Sequence, residues 1–136
     1  MDEPAKGAMA EVSMIVGADS TAAQFARDAG ERYPEVLATP VMIGEMERAA
    51  AAILHDILTP GQLSVGVRIE VNHLAPTPVG GRVVSRATYT GRDGALYWFD
   101  ITSEDEGGEI GAGRHARAVV GADVIVARAD KRKTKD

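Results

Sequence analysis

The feature that most constrains the fold of this chain is one long helical pattern with a marked beginning and a marked end. Apolar side chains recur at helical spacing over residues 39–58. Thr39 suits the capping position of a helix and Pro40 suits its first turn, so together they predict the start. Thr59-Pro60-Gly61 predicts the end, because proline and glycine interrupt helical hydrogen bonding. The chain should therefore contain one central helix of about five turns.

The chain after this helix alternates between apolar and polar residues. Turns rich in glycine and aspartate separate the alternating segments, which is typical of antiparallel hairpins. The predicted strands after the helix are 63–74, 81–90, 95–104 and 109–126. Before the helix, one strand is predicted at 11–16 and a modest helix at 20–29, ended by Gly30. This order predicts an α+β fold in which a curved antiparallel sheet wraps around one long central helix.

Composition narrows the class of protein. The chain has 136 residues, enough for a single domain, which we place at residues 1–126. Cysteine is absent, no apolar run is long enough to span a bilayer, and the first residues lack the apolar core of a secretory signal, which together predict a cytoplasmic protein without a membrane partner. A formal net charge of −5 and 4% aromatic residues disfavour nucleic-acid binding. Residues 127–136 are rich in lysine and arginine and predict a disordered basic tail.

Three polar residues stand out as candidates for chemistry. Turning the helix by about 100° per residue places Glu47 at the edge of the apolar arc. His73 ends a strand pattern and has the parity of the apolar residues at positions 65, 67, 69 and 71, which directs it toward the helix. Thr39 lies where the first helix amides can stabilise an oxyanion. A hydroxyl, a carboxylate and an imidazole in these positions suit a hydrolytic site.

Each candidate also has a purely structural interpretation. Thr39 can be a plain helix cap, Glu47 a boundary carboxylate that reaches solvent, and His73 a hydrogen-bonded core residue. The three histidines of the chain have no metal-ligand spacing, and no serine lies in a nucleophile-elbow motif. The residues alone leave the catalytic and structural interpretations open.

Three segments resemble one known family. They are PEVLATPVMIGEMERA, SVGVRIEVNHLAPTPVG and DEGGEIGAGRHARAVV, and in order and spacing they are similar to the fluoroacetyl-CoA thioesterase-like branch of the hotdog-fold thioesterases. The likeness covers roughly residues 10–125. Its most specific parts are the AT…GxME start of the helix, the strand with glycine and histidine seven residues apart, and the GxGxHxRAV ending.

The resemblance implies a hotdog fold, usually a homodimer, with an acyl-CoA site at the subunit interface. It implies that Thr39, Glu47 and His73 form the catalytic set and that Gly66 lies near the thioester carbonyl. The implied reaction is hydrolysis of an acyl-CoA thioester without metal or cofactor, since CoA is part of the substrate. His73 would be a general acid or base, Glu47 the nucleophile or the activator of water, and Thr39 an orienting group.

The chain differs from the family at residues that would contact the acyl group of the substrate. The fluoroacetate-specific enzyme carries two phenylalanines in the segment before the helix, and Gly30 and Tyr33 stand there in this chain. We therefore expect the substrate, which Tyr33 would contact, to be a different short or medium acyl-CoA or another activated thioester. Arginines such as Arg82, Arg86 or Arg117 would have to dock the CoA phosphates.

Two rival functions remain open. A hotdog hydratase or dehydratase would need an aspartate near His73, which the sequence lacks. A non-catalytic acyl-CoA-binding or sensing module has no need of a carboxylate on an apolar helix face.

Overall fold

A helix and a sheet form the framework that positions the candidate residues. The computed structural model describes residues 2–133. Its strands are β1 (Met9–Ile15), β2 (Gln62–His73), β3 (Arg82–Asp93), β4 (Leu96–Asp105) and β5 (Gly108–Gly121). Its α-helices are α1 (Thr39–Leu54), which a 3₁₀ turn at His55–Ile57 extends, and α2 (Ala122–Lys133). Within the described residues the strands form one antiparallel sheet in the order β1-β3-β4-β5-β2. The sheet curls around α1, which confirms the predicted α+β class and hotdog architecture.

α1 buries one face against the sheet. Pro40 lies in its first turn, where the missing amide hydrogen is no loss. The buried residues follow helical spacing: Met42, Met46, Ala49, Ala50, Ile53 and Leu54. Burying each methionine side chain contributes about 1.5–3 kcal/mol, and the alanines let the strands approach the helix closely. The same packing fixes the direction in which the polar residues of α1 point.

The inner faces of β3 and β4 supply the other half of the core. Side chains in both strands alternate between buried and more exposed, as the sequence pattern predicts. Tyr89 and Phe99 pack with ring centroids 5.6 Å apart and tilted planes. Phe99 lies on β4, which pairs with β5, the strand that carries part of the candidate site.

The helix predicted at 20–29 is wrong. Two 3₁₀ turns occupy this region, at Ala18–Ser20 and Ala22–Phe25. The amides of Ala22 and Ala23 donate to the carbonyls of Val36 and Pro34, so they are not available for a helical ladder. The segment is tied to the chain just before α1 instead.

The end of the chain also differs from the prediction. The last strand ends at Gly121 rather than at residue 126, and residues 127–133, expected to be disordered, continue α2. Asp123 in the first turn and the basic residues Lys131–Lys133 in the last complement the helix dipole. Residues 134–136 of the predicted tail lie outside the described residues. No helix within residues 2–133 is long and apolar enough to cross a membrane.

Candidate active site

The start of α1 and the end of β2 bring two of the candidate residues together. The hydroxyl oxygen of Thr39 lies 2.7 Å from Nδ1 of His73. Thr39 is the first helical residue and Ala38 occupies the capping position, so the prediction that Thr39 caps the helix is wrong by one residue. The side chain of Thr39 is therefore free of the backbone and holds the imidazole ring instead.

The other ring nitrogen of His73, Nε2, is buried and has no hydrogen-bond partner in the described part of the chain. A buried polar atom without a partner costs free energy. A cavity of about 390 Å³ opens here, lined by Thr39 and His73 and by apolar side chains that include Leu37 and Leu74.

A second cavity is also lined by Thr39. It has a volume of about 280 Å³ and is lined by Phe25, Tyr33 and Pro40, among others. Tyr33 is half exposed and its hydroxyl donates to Glu31 over 3.3 Å. The sequence did not point to Phe25, because it falls in the segment wrongly predicted as a helix. Tyr33 and Phe25 thus form an aromatic wall next to Thr39.

Glu47 lies in the middle of α1 and belongs to a separate polar cluster. Its Oε1 accepts a hydrogen bond from Nη1 of Arg117 over 3.1 Å, and its side chain is 39% exposed. Nη1 also lies 3.1 Å from Nε2 of His115, whose Nδ1 lies 2.8 Å from the carbonyl oxygen of Arg68. We call Glu47, Arg117 and His115 the carboxylate cluster.

Ser64 fixes the far side of the Arg117 guanidinium. Nε donates to the Ser64 hydroxyl over 2.9 Å, and Nη2 donates to the Ser64 carbonyl over 3.0 Å. Arg117 was predicted as a possible docking residue for the phosphates of CoA. It is only 7% exposed, so it is not suited to that role. The predicted docking residue Arg86 is paired with Glu11.

Gly66 borders the carboxylate cluster because of an irregularity in β2. A β-bulge interrupts the pairing with β5 between Gly66 and Arg68. A Cβ atom at Gly66 would lie 2.7 Å from Oε1 of Glu47, so this position faces α1. The predicted strict alternation of β2 is therefore wrong: residue 65 points away from α1, whereas His73 faces it.

One chain does not join all three predicted catalytic residues. Thr39 and Glu47 are eight residues apart on α1, which corresponds to about 12 Å along the helix axis. The hydrogen bonds within residues 2–133 link Thr39 to His73 and Glu47 to Arg117. His115 was not among the predicted catalytic residues, although His115 and Arg117 have the same parity in β5, which is the signal that would place both on the face toward α1. No group of three potential metal-binding side chains was found in the described part of the chain.

Comparison with known proteins assigns the family. Residues 16–123 match the family described as FlK, fluoroacetyl-CoA-specific thioesterase. The chain belongs to this family. The fluoroacetyl-CoA thioesterase of Streptantibioticus cattleyicolor is 39% identical over 88 residues, a stretch that covers 65% of this chain and 63% of that protein.

Solved structures support the same family. The fluoroacetyl-CoA thioesterase FlK has a TM-score of 0.89 at 30% identity, covering 99% of this chain and 100% of that one. A variant of FlK solved with fluoroacetate and CoA has a TM-score of 0.83 at 31% identity, over 89% of this chain and 98% of that one. A Thermus thermophilus thioesterase superfamily member has a TM-score of 0.87 at 25% identity, over 98% of this chain and 96% of that one.

Proposed function

We propose that this protein is an acyl-CoA thioesterase that works as a homodimer, with Thr39, Glu47 and His73 as catalytic residues. The observation that carries the proposal is the 2.7 Å contact between Thr39 and Nδ1 of His73, with Nε2 of the same ring unpartnered among the described residues. The family of the chain supports the reaction type. A pure binding module would not need an imidazole held in this way.

Hydrolysis assigns one task to each residue. Water adds its oxygen to the thioester carbonyl carbon, its proton passes to Glu47, and the C–S bond breaks. His73 supplies a proton to the departing thiolate, and Thr39 holds the ring in orientation through Nδ1. In the alternative route Glu47 attacks the carbonyl itself and water then releases the acid. Both routes need an ionised Glu47 beside the carbonyl.

The site requires two subunits, because one chain keeps Glu47 away from His73. β2 lies at the edge of the sheet, and five consecutive residues, 66–70, are exposed. Val67 is 54% exposed and Ile69 is 39% exposed, which is unusual for an unpaired strand edge unless another strand covers it. Antiparallel pairing of β2 with β2 of a second copy would cover both residues and satisfy the free backbone groups.

The sequence of β2 favours one register for this pairing. With Ile69 opposite its own copy, Arg68 lies opposite Glu70 of the partner subunit and the reverse. In the single chain these two residues form an exposed ion pair over 2.9 Å, so the charges that would cross the interface are already complementary. This register brings Gly66 and Glu47 of one chain toward His73 of the partner subunit. Each of the two sites would then combine the carboxylate cluster of one subunit with Thr39 and His73 of the other.

The acyl group should lie against Phe25 and Tyr33. The cavities of about 280 and 390 Å³ beside Thr39 have room for a short or medium chain and are mostly apolar. Gly30 stands where the fluoroacetate-specific enzyme has a phenylalanine. We therefore propose a non-fluorinated short or medium acyl-CoA as the substrate.

A panel of acyl-CoAs of increasing length, with fluoroacetyl-CoA included, tests the function by thiol release. We expect saturable hydrolysis that His73→Ala and Glu47→Gln each reduce at least about 100-fold. His55→Ala and Glu104→Gln are matched controls, because both residues are exposed and lie outside the site. Rapid-quench mass spectrometry for an acyl group on Glu47 separates the two chemical routes.

Other outcomes would point to the rival functions. Tight binding of acyl-CoA without thiol release on any substrate would replace the enzyme by a sensing module. The panel also includes an enoyl-CoA, the substrate of a hydratase. Loss of its absorbance without thiol release would indicate a hydratase.

A further inference from the structure

His115 is a buried histidine to which the proposed reaction assigns no role. It is 1% exposed and lies on β5, with its ring 6.3 Å from that of Phe99. Both ring nitrogens have close polar neighbours: Nδ1 the carbonyl of Arg68, and Nε2 the guanidinium of Arg117. The second of these contacts joins the buried ring to the Arg117–Glu47 pair.

These neighbours permit one protonation state. The Arg117 guanidinium has donors only, so Nε2 must accept its hydrogen bond. The Arg68 carbonyl has acceptors only, so Nδ1 must carry the proton and donate. The geometry therefore assigns His115 as the neutral ring protonated at Nδ1.

The acceptor on His115 determines where Arg117 points. Ser64 takes Nε and Nη2 of the guanidinium, whereas Nη1 is shared between Glu47 and His115. Nη1 carries two hydrogens in fixed directions in the guanidinium plane. With one directed to Nε2 of His115, the other is directed to the Glu47 carboxylate.

We propose that His115 is a positioning residue, which through Arg117 holds the Glu47 carboxylate beside Gly66 in the arrangement needed for thioester hydrolysis. This inference rests on the proposed function. His115 itself touches neither the substrate nor the reacting atoms. Its contribution is to keep Nη1 of Arg117 from turning away from Glu47.

Protonation of His115 would undo this arrangement. The charged ring would direct a donor at Arg117, and two cations would face each other. The groups around the ring are Arg117 on its own strand, Glu47 from α1, the Arg68 carbonyl from β2 and the apolar Phe99 ring from β4. Burial lowers the pKa of His115 and the charge of Arg117 lowers it further, whereas the Arg68 carbonyl and Glu47 act in the opposite direction. The ring thus stays neutral near pH 7, and activity should fall as the pH drops through its pKa.

Nitrogen NMR of the intact protein tests the assignment without any substrate. Long-range proton–nitrogen spectra distinguish the two neutral forms of each ring, and a His115→Gln sample identifies the His115 signals. We expect His115 to be neutral at pH 7 with the proton on Nδ1. A ring protonated at Nε2, or a charged ring at pH 7, overturns the proposal whether or not the protein hydrolyses thioesters.

A pair of amide variants tests the role in the reaction. In His115→Gln the amide oxygen can replace Nε2 as the acceptor for Arg117. In His115→Asn the shorter side chain can still donate to the Arg68 carbonyl but does not reach Arg117. We expect the Asn variant to lose at least about tenfold in kcat at similar KM, and the Gln variant to lose far less. The Gln variant should also lack the acid limb that His115 contributes to the kcat profile.

Thermal unfolding separates positioning from folding. Equal losses of kcat in the two variants, or losses that follow their melting temperatures, overturn the proposal. His55→Gln is the control for an exposed histidine. If the unmodified protein hydrolyses no acyl-CoA, the proposed function fails, whereas the NMR result still decides the state of His115.

Discussion

The hydroxyl of Thr39 lies 2.7 Å from Nδ1 of His73, although the two residues are 34 positions apart in the chain. This contact joins the first residue of α1 to the last residue of β2. It therefore depends on the docking of the helix on the sheet as well as on the two side chains.

Removing the Thr39 hydroxyl should slow catalysis more than it weakens folding. Thr39→Ala frees the imidazole ring, and the loss of one hydrogen bond of about 1 kcal/mol predicts a decrease in kcat of about fivefold or more. Thr39→Ser keeps the hydroxyl and should retain most of the rate. Steady-state kinetics of both variants check this, and equal losses in Ser and Ala would contradict it.

Adding one methyl group at Gly66 should disable the carboxylate cluster. The new Cβ would lie 2.7 Å from Oε1 of Glu47 and 3.3 Å from the His115 ring, so the carboxylate must move. A displacement of about 1 Å can cost about 100-fold in rate, so we expect a loss of that size in kcat for Gly66→Ala. Gly44→Ala is the matched control, since nothing lies within 4 Å of its Cβ position and alanine favours a helix. Similar activity of the two variants would contradict the position that we give Gly66.

A charge on the exposed edge of β2 should dissociate the proposed dimer. Ile69→Lys places like charges opposite each other at the two-fold axis, so sedimentation should show a monomer with little activity. Ile15→Lys is the control, because Ile15 is also an exposed apolar residue on an edge strand, β1, at the opposite side of the sheet. An unmodified protein that sediments as a monomer at assay concentrations while fully active would rule out the shared site.

Stability should depend on pH through His115. Its pKa in the folded protein is lowered from 6.5, so between the two values the unfolded chain binds more protons than the folded one. The free energy of unfolding should therefore decrease as the pH falls below about 6.5, and level off below the pKa of the folded state. Denaturant titrations at a fixed protein concentration measure this slope. His115→Gln should flatten it, and an unchanged slope in that variant would assign the effect to other groups.

The parts of the fold that follow from periodicity could be predicted from the sequence. α1 begins at its Thr39-Pro40 signal and ends near its Pro-Gly signal, and the strands after it lie within a few residues of their patterns. The short helix at 20–29 could not be excluded, because its amides are diverted to Pro34 and Val36 by contacts that local sequence does not encode. The helical end of the chain was missed because its high charge resembles a solvated tail.

The candidate site was predictable only in part. The placement of Thr39 and His73 could be predicted, because the start of α1 and the end of β2 can each be recognised in the sequence. Their contact then follows from the packing of the helix on the sheet. Arg117 was named only as a possible docking residue for the CoA phosphates, whereas here Ser64, Glu47 and His115 satisfy its hydrogen bonds in the interior. That compensation depends on three different elements of the fold.

The bulge in β2 allows two site residues to share one face of the sheet at a spacing that a regular strand would not permit. Gly66 and His73 both face α1, yet an odd number of steps separates them, which regular pleating would place on opposite faces. Deleting Val67 would remove the extra residue of the bulge and leave six steps between Gly66 and His73, so a regularly pleated strand would still place both on the α1 side of the sheet. In relatives of this protein, a gap of one residue between this glycine and histidine would therefore mark a strand without the bulge, and would not by itself mark loss of the site.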